Sequence, residues 1–146
     1  GIEFPASAKR MLENVTTYAK ETKINGGSLL ANESVANKLA ECAIDLEISR
    51  LLSYRIAWMQ GSGLVPNYEA SIGKVYGSEM WQRVANTLTQ ILGLGSQLTE
   101  GSKHAILKGS IPDFYLNVVA GAIYSGTSEI QRGIIAHRGL ALPRGT

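Results

Sequence analysis

Between Pro5 and Glu21 the apolar residues Ala8, Met11, Leu12, Val15 and Ala19 recur at steps of three and four, the spacing that lines one face of a helix. The turn-forming run Asn25-Gly26-Gly27-Ser28 ends that pattern. A second helix is predicted from about Asn32 to Gln60, with Val35, Leu39, Cys42, Leu46, Ser49 and Ile56 along one side and Ala43 and Leu52 beside it. The run Gly61-Ser62-Gly63-Leu64-Val65-Pro66-Asn67 opposes helix continuation and marks a loop. Beyond it Ile72, Tyr76, Met80, Val84, Leu88 and Ile91 fall at steps of four and three, a third helical stripe suited to packing against neighbours. After Gly95 the chain is polar and irregular through Lys103; a helical pattern returns from Asp113 to Gly121, and a last helix is predicted from Ser128 to about Arg138.

No segment sustains the period-two alternation of a half-buried strand, and no internal repeat is present. The predicted fold class is therefore all-α, an antiparallel four-helix-type bundle joined by short connections. Its expected core includes Leu39, Ala43, Leu46, Ile72, Met80, Val84 and Leu88, which share the inward stripes of the two longest helices.

Composition narrows the partners more than the fold. A chain of 146 residues suffices for one domain with a real core, read here as a single domain spanning 1–146. The net charge of +2 is spread over scattered basic residues, which argues against a nucleic-acid footprint. No apolar run approaches the roughly 20 residues that would cross a bilayer, and no secretory pattern opens the chain, so no membrane span and a cytoplasmic location are expected. Cys42 is the only cysteine, which excludes an internal disulfide and reads as a buried thiol. His104 and His137 have no companions at metal-ligand spacing, so no metal site is expected. The chain begins at Gly1 without an initiator methionine and is read as a fragment of a longer protein.

The chemistry concentrates in Ile123-Tyr124-Ser125-Gly126-Thr127-Ser128-Glu129-Ile130-Gln131-Arg132. Ser-Gly-Thr-Ser combines a permissive glycine with capping hydroxyls, so a helix should begin there. Ser128 followed by Gln131 has the capping-box form, and Glu129 lies in the first turn, where the helix dipole favours negative charge. Taken alone, these features describe a helix-loop-helix corner.

Tyr-x-Gly-Thr-Ser-x-Ile-Gln-Arg also resembles the C-terminal signature of the acyl-CoA dehydrogenases, flavoenzymes that oxidise acyl-CoA thioesters to 2-enoyl-CoA. The resemblance runs from the Asn25-Gly26 turn to Leu142-Pro143-Arg144, whose approach Gly139-Leu140-Ala141 is similar to bacterial, especially actinobacterial, members. It corresponds to about the last third of a family subunit, the C-terminal helical bundle. The resemblance implies FAD as cofactor, an acyl-CoA as substrate in fatty acid or steroid side-chain β-oxidation, and electron-transfer flavoprotein or a similar acceptor as partner. It further implies a homo- or hetero-oligomer with acyl-CoA dehydrogenase subunits. The isolated fragment is expected to be inactive.

Residue by residue, the resemblance implies that Thr127 and Glu129 contact the flavin and that Tyr124 and Gly126 flank the thioester. Ser125 stands where many members carry the glutamate that removes the α-proton. An alcohol is not a useful base near neutral pH without an activating group, so Ser125 is not expected to act as one. Gln90 and Gly93 match a Gln-x-x-Gly-Gly-x-Gly stretch that meets a neighbouring subunit's flavin, while Leu94 and Ser96 replace its other two glycines. Thr22 and Asn25 stand where Arg-x-x-Phe-Gly has its arginine and phenylalanine, and Leu116-Asn117 replaces an Arg-Asp pair.

Two sources for the base stay open: the residues just before Gly1, where other members carry their glutamate on the first helix, or a partner subunit. The alternative reading of the whole chain is a non-catalytic structural bundle or a base-less subunit of a heteromeric enzyme.

Overall fold

The computed structural model describes residues 2–143; Gly1 and Arg144, the latter part of the family-like ending, lie outside the described residues. Helix α1 spans Glu3–Glu21 and buries Phe4, Ala8, Met11, Leu12, Val15 and Ala19 on one face. It stops at Thr22, whose backbone turns extended (φ −74°, ψ 125°). A short antiparallel ribbon follows, β1 (Lys23–Ile24) and β2 (Gly27–Ser28), with Lys23 opposite Ser28 and Ile24 opposite Gly27. Asn25 and Gly26 both have positive φ, 52° and 83°, as a two-residue primed turn requires.

Asn32 caps helix α2 (Glu33–Gly61), its Oδ1 accepting from the Val35 N–H at 3.3 Å. Helix α3 (Tyr68–Leu92) returns alongside. Lys38 reaches Gln90, Asp45 reaches Arg83 and Ile56 packs on Gly73, which fixes the pair as antiparallel. Helix α4 (Ser110–Val119) starts three residues before the pattern at Asp113, because Pro112 sits in the first turn, where a missing N–H costs no helical bond. A tighter turn, Ala120–Ala122, carries α4 onward. Helix α5 (Ser128–Ile134) continues into a wider turn, Ile135–Gly139, so the terminal rod covers the predicted 128–138.

Among the described residues the fold is all-α apart from the ribbon, and α3 is its hub, packing against α1, α2, α4 and α5. The core joins Phe4, Ala8 and Val15 to Leu39 and Leu46, and these to Met80, Val84, Leu88 and Ile111. Ile72 is half-buried beside Leu52 and Ile56 rather than fully inside. Ala43 is exposed, contrary to the predicted core. The inward seam of α2 is Leu39-Cys42-Leu46-Ser49, and a residue one step past Cys42 is turned about 100° round the helix, away from α1 and α3. Burial pushes the Cys42 thiol up to about 11, so it is a protonated packing residue. Among the described residues no helix is long and apolar enough to cross a membrane.

Candidate functional site

The signature segment is shaped by its backbone. The Ile123 and Tyr124 N–H groups both donate to the Ala120 carbonyl, at 3.0 and 3.1 Å. Ser125 and Gly126 then take left-handed conformations, with φ of 56° and 90°. Thr127 is the last extended residue (φ −62°, ψ 159°), and its Oγ1 accepts from the Ile130 N–H at 3.3 Å. Thr127 is thus the cap of α5, and the Ser128-Gln131 capping box expected from the sequence does not form. Gln131 instead folds back over Gly126 and donates from Nε2 to the Ser125 carbonyl at 3.1 Å. A Cβ on residue 126 would lie 2.5 Å from that nitrogen, so glycine serves both the left-handed φ and the close approach. The Ser128 hydroxyl is buried and has no hydrogen-bond partner among the described residues.

Glu129 lies exposed in the first turn of α5. Hydrogen bonding to its own backbone N–H, then to the Thr127 hydroxyl, holds its carboxyl below the usual range, with smaller help from Arg132 and Lys74. The carboxylate is therefore charged at neutral pH and sits at the positive end of the α5 dipole.

Beside this turn lies a cavity of about 380 Å³. Ser125 and Tyr124 form one side, Glu3 and Phe4 of α1 another, and residues of α2 and α3 that include Ala57, Gly73 and Lys74 a third. The Tyr124 ring stacks on Phe4, with centroids 6.3 Å apart, and Phe4 in turn meets Trp81 at 5.3 Å. Burial raises the Tyr124 phenol, and the negative charge of Glu3 adds to the shift. The Lys74 ammonium donates to the Gly121 carbonyl at 2.9 Å. Burial lowers its pKa, while Glu79 and Glu129 oppose that shift.

The remaining candidates lie elsewhere on the chain. Gln90 is exposed near the far end of α3, about 24 Å along the helix from Lys74 at 1.5 Å per residue, and accepts from the Lys38 ammonium at 3.5 Å. Gly93 ends α3 with φ 66°. The fold therefore does not bring Gln90 and Gly93 to Thr127 and Glu129 within one chain. Leu94 is 82% exposed, whereas Ser96 is buried and donates to the carbonyls of Gly93 (2.6 Å) and Thr89 (3.2 Å), which a glycine could not do with a side chain. Leu116 is exposed, and Asn117 donates from Nδ2 to the Asp113 carbonyl.

Glu3 and Lys74 carry no motif and were missed from the sequence. A single glutamate and a single lysine on helical faces look like solvated charges until packing places them on a cavity wall.

Comparisons with known proteins follow the same lines. Residues 1–140 match the family model for the acyl-CoA dehydrogenase C-terminal domain. The chain is 31% identical over 145 residues to acyl-CoA dehydrogenase FadE26 of Mycobacterium tuberculosis, covering 96% of this chain and 36% of that relative. Its fold superposes with a TM-score of 0.89 on the ChsE4-ChsE5 complex from Mycobacterium tuberculosis, at 31% identity over 97% of this chain and 36% of that one. It superposes with a TM-score of 0.84 on the FAD complex of PigA, at 27% identity over 95% of this chain and 34% of that one. The chain thus spans about a third of the length of the relatives it matches.

Proposed function

Because the chain belongs to the acyl-CoA dehydrogenase family through its C-terminal domain, we propose that it is the helical C-terminal part of an FAD-dependent enzyme that dehydrogenates an acyl-CoA thioester between its α- and β-carbons. In that reading it supplies one wall of the acyl and flavin sites and part of the subunit interface. The observation that carries it is the placement of Tyr124 and Ser125 on the cavity wall, with Thr127 and Glu129 shortly after them at the start of α5.

The residues at the signature fit a flavin. Glu129 is exposed and charged, and Thr127 offers a hydroxyl beside it. A carboxylate there repels phosphate, so Glu129 is assigned to a hydroxyl or an adenine edge. Bound there, FAD would supply the acceptor for the hydride of the β-carbon. Gln90 and Gly93 would serve the flavin of a neighbouring subunit, across a surface on which Leu94 now projects. The chain's own task toward the substrate is to flank the thioester with Tyr124, Ser125 and Gly126. The proton acceptor is a carboxylate other than residue 125, and among the described residues Glu3 is the carboxylate that lines the cavity. Residues before Gly1 and a partner subunit are the other two sources.

The partners proposed are an acyl-CoA, further acyl-CoA dehydrogenase subunits and an electron-transfer flavoprotein or similar acceptor, in the cytoplasm. A hetero-oligomer is supported by the likeness to the ChsE4-ChsE5 complex. The unpaired apolar face of α2, where Ile44, Leu51 and Trp58 are 61%, 54% and 65% exposed, supports subunit contact in general. A second reading, a base-less or purely structural bundle, is favoured by Ser125 at the signature base position and by Thr22, Leu94 and Ser96 at the flavin positions.

The deciding experiment purifies the full-length protein, alone and with candidate partner subunits, and records its visible spectrum. FAD bands that bleach on adding acyl-CoA, with electrons passed to an acceptor, are the expected result. A protein that cannot be reconstituted with FAD and reduces no acceptor with any acyl-CoA leaves the structural reading.

A further inference from the structure

The turn that carries Ser125 is held from α3 as well as by its own Gln131 and backbone bonds. Among the described residues, the carbonyls at the end of α4 are taken by side chains from α3: Gln82 donates from Nε2 to Val118 and Val119, at 3.3 and 3.1 Å, and Lys74 donates to Gly121 at 2.9 Å. Gly121 is gripped from a second side, since a Cβ there would stand 3.1 Å from the Trp81 ring. Glu79, one turn past Val75 on the same helix, pairs with Arg132 of α5 at 2.8 Å. Helix α3 therefore holds the chain just before and just after the signature turn.

Lys74 is distinct within this set, because its side chain also lines the cavity shared with Ser125. We propose that Lys74 is a positioning residue: its ammonium, bonded to the Gly121 carbonyl, holds Tyr124 and Ser125 at the cavity wall. Three features support this. The carbonyl it meets lies at the C-terminal end of the α4 rod, where the helix dipole is negative and a cation is favoured. Three residues separate that carbonyl from Ser125, too short a span for the turn to keep its place if the anchor is released. The ammonium is partly withdrawn from water, so a neutral replacement removes a charge-assisted bond that solvent does not fully replace.

The role toward substrate and flavin rests on the function proposed above, whereas the anchoring does not. The test compares Lys74→Met and Lys74→Arg with the parent in the full-length protein. Loss of one charge-assisted bond corresponds to about ten- to a hundredfold in the equilibrium it supports. Lys74→Met should therefore raise amide hydrogen exchange in residues 120–127 with little change in α1, weaken FAD binding, and lower kcat/KM at a temperature where the variant is fully folded. Lys74→Arg, which keeps the charge and the donor, should recover most of each effect. Parent-like exchange in 120–127 for Lys74→Met, or an arginine variant no better than the methionine one, overturns the proposal. If the parent binds no FAD, the enzyme reading fails and the exchange comparison still decides the anchoring. If Lys74→Met does not fold, Lys74→Arg against Lys74→Gln decides by the same exchange measurement.

Discussion

Glu3, in the first turn of α1, and Ser125, in the turn before α5, line one cavity from opposite ends of the chain. The pairing sets a hydroxyl where many relatives of the family place a carboxylate, and a carboxylate where the sequence showed no motif. If Glu3 accepts the α-proton in the proposed reaction, Glu3→Gln in the full-length protein lowers kcat by about 10²- to 10⁴-fold while FAD stays bound. Exchange of the substrate α-proton with deuterated water should fall with it. An unchanged kcat places the base before Gly1 or on a partner. Ser125→Glu is the complementary variant, and gain of α-proton exchange in the Glu3→Gln background is expected if the thioester lies against the turn.

Gly126→Ala tests the turn itself. The added methyl meets the Gln131 side chain and forces an alanine to φ 90°. A loss of about 1–3 kcal/mol is expected. It should appear in denaturant unfolding of the full-length protein as a lower midpoint, with exchange rising first in residues 124–131.

The core rests most heavily on α3. Met80 has no exposed surface, and Met80→Ala should cost about 2–5 kcal/mol because it leaves a cavity inside the shared core. Ala43→Ser, at the exposed position once expected in the core, should stay within about 0.5 kcal/mol of the parent. Equal losses for the two variants would contradict the packing of α2 described above.

A pH effect is expected from the contact between α2 and α3. Tyr76 donates its hydroxyl to Asp45 at 2.8 Å, and Arg83 donates to the same carboxylate at 2.9 Å. Burial first, then the bond to Asp45, pushes the Tyr76 phenol from 10.0 up to about 12. A raised folded value means that the unfolded chain releases its proton first. The stabilisation is complete below about pH 10 and is lost as pH climbs towards about 12. Tyr76→Phe should flatten the fall in stability over that window, read by thermal unfolding across the alkaline range.

Much of this molecule is written locally. The helices of α1, α2 and α3 follow from steps of three and four, because a helix registers its buried face within its own residues. The Asn25-Gly26 turn follows from two residues that tolerate positive φ. The signature at Tyr124–Arg132 identified the family from sequence alone, since its residue types and spacing stand together in one stretch. The capping register did not follow: Thr127, Ser128 and Gln131 are all competent cap residues, and the left-handed pair at Ser125-Gly126 selected Thr127. Ala43 was misplaced because a helical stripe has an uncertain edge until its neighbours arrive. Glu3 and Lys74 were silent in the sequence for a deeper reason. A lone charge has no periodicity to read, and its role arises only when distant helices enclose it, withdraw it from water and bring a carbonyl or a cavity within its reach.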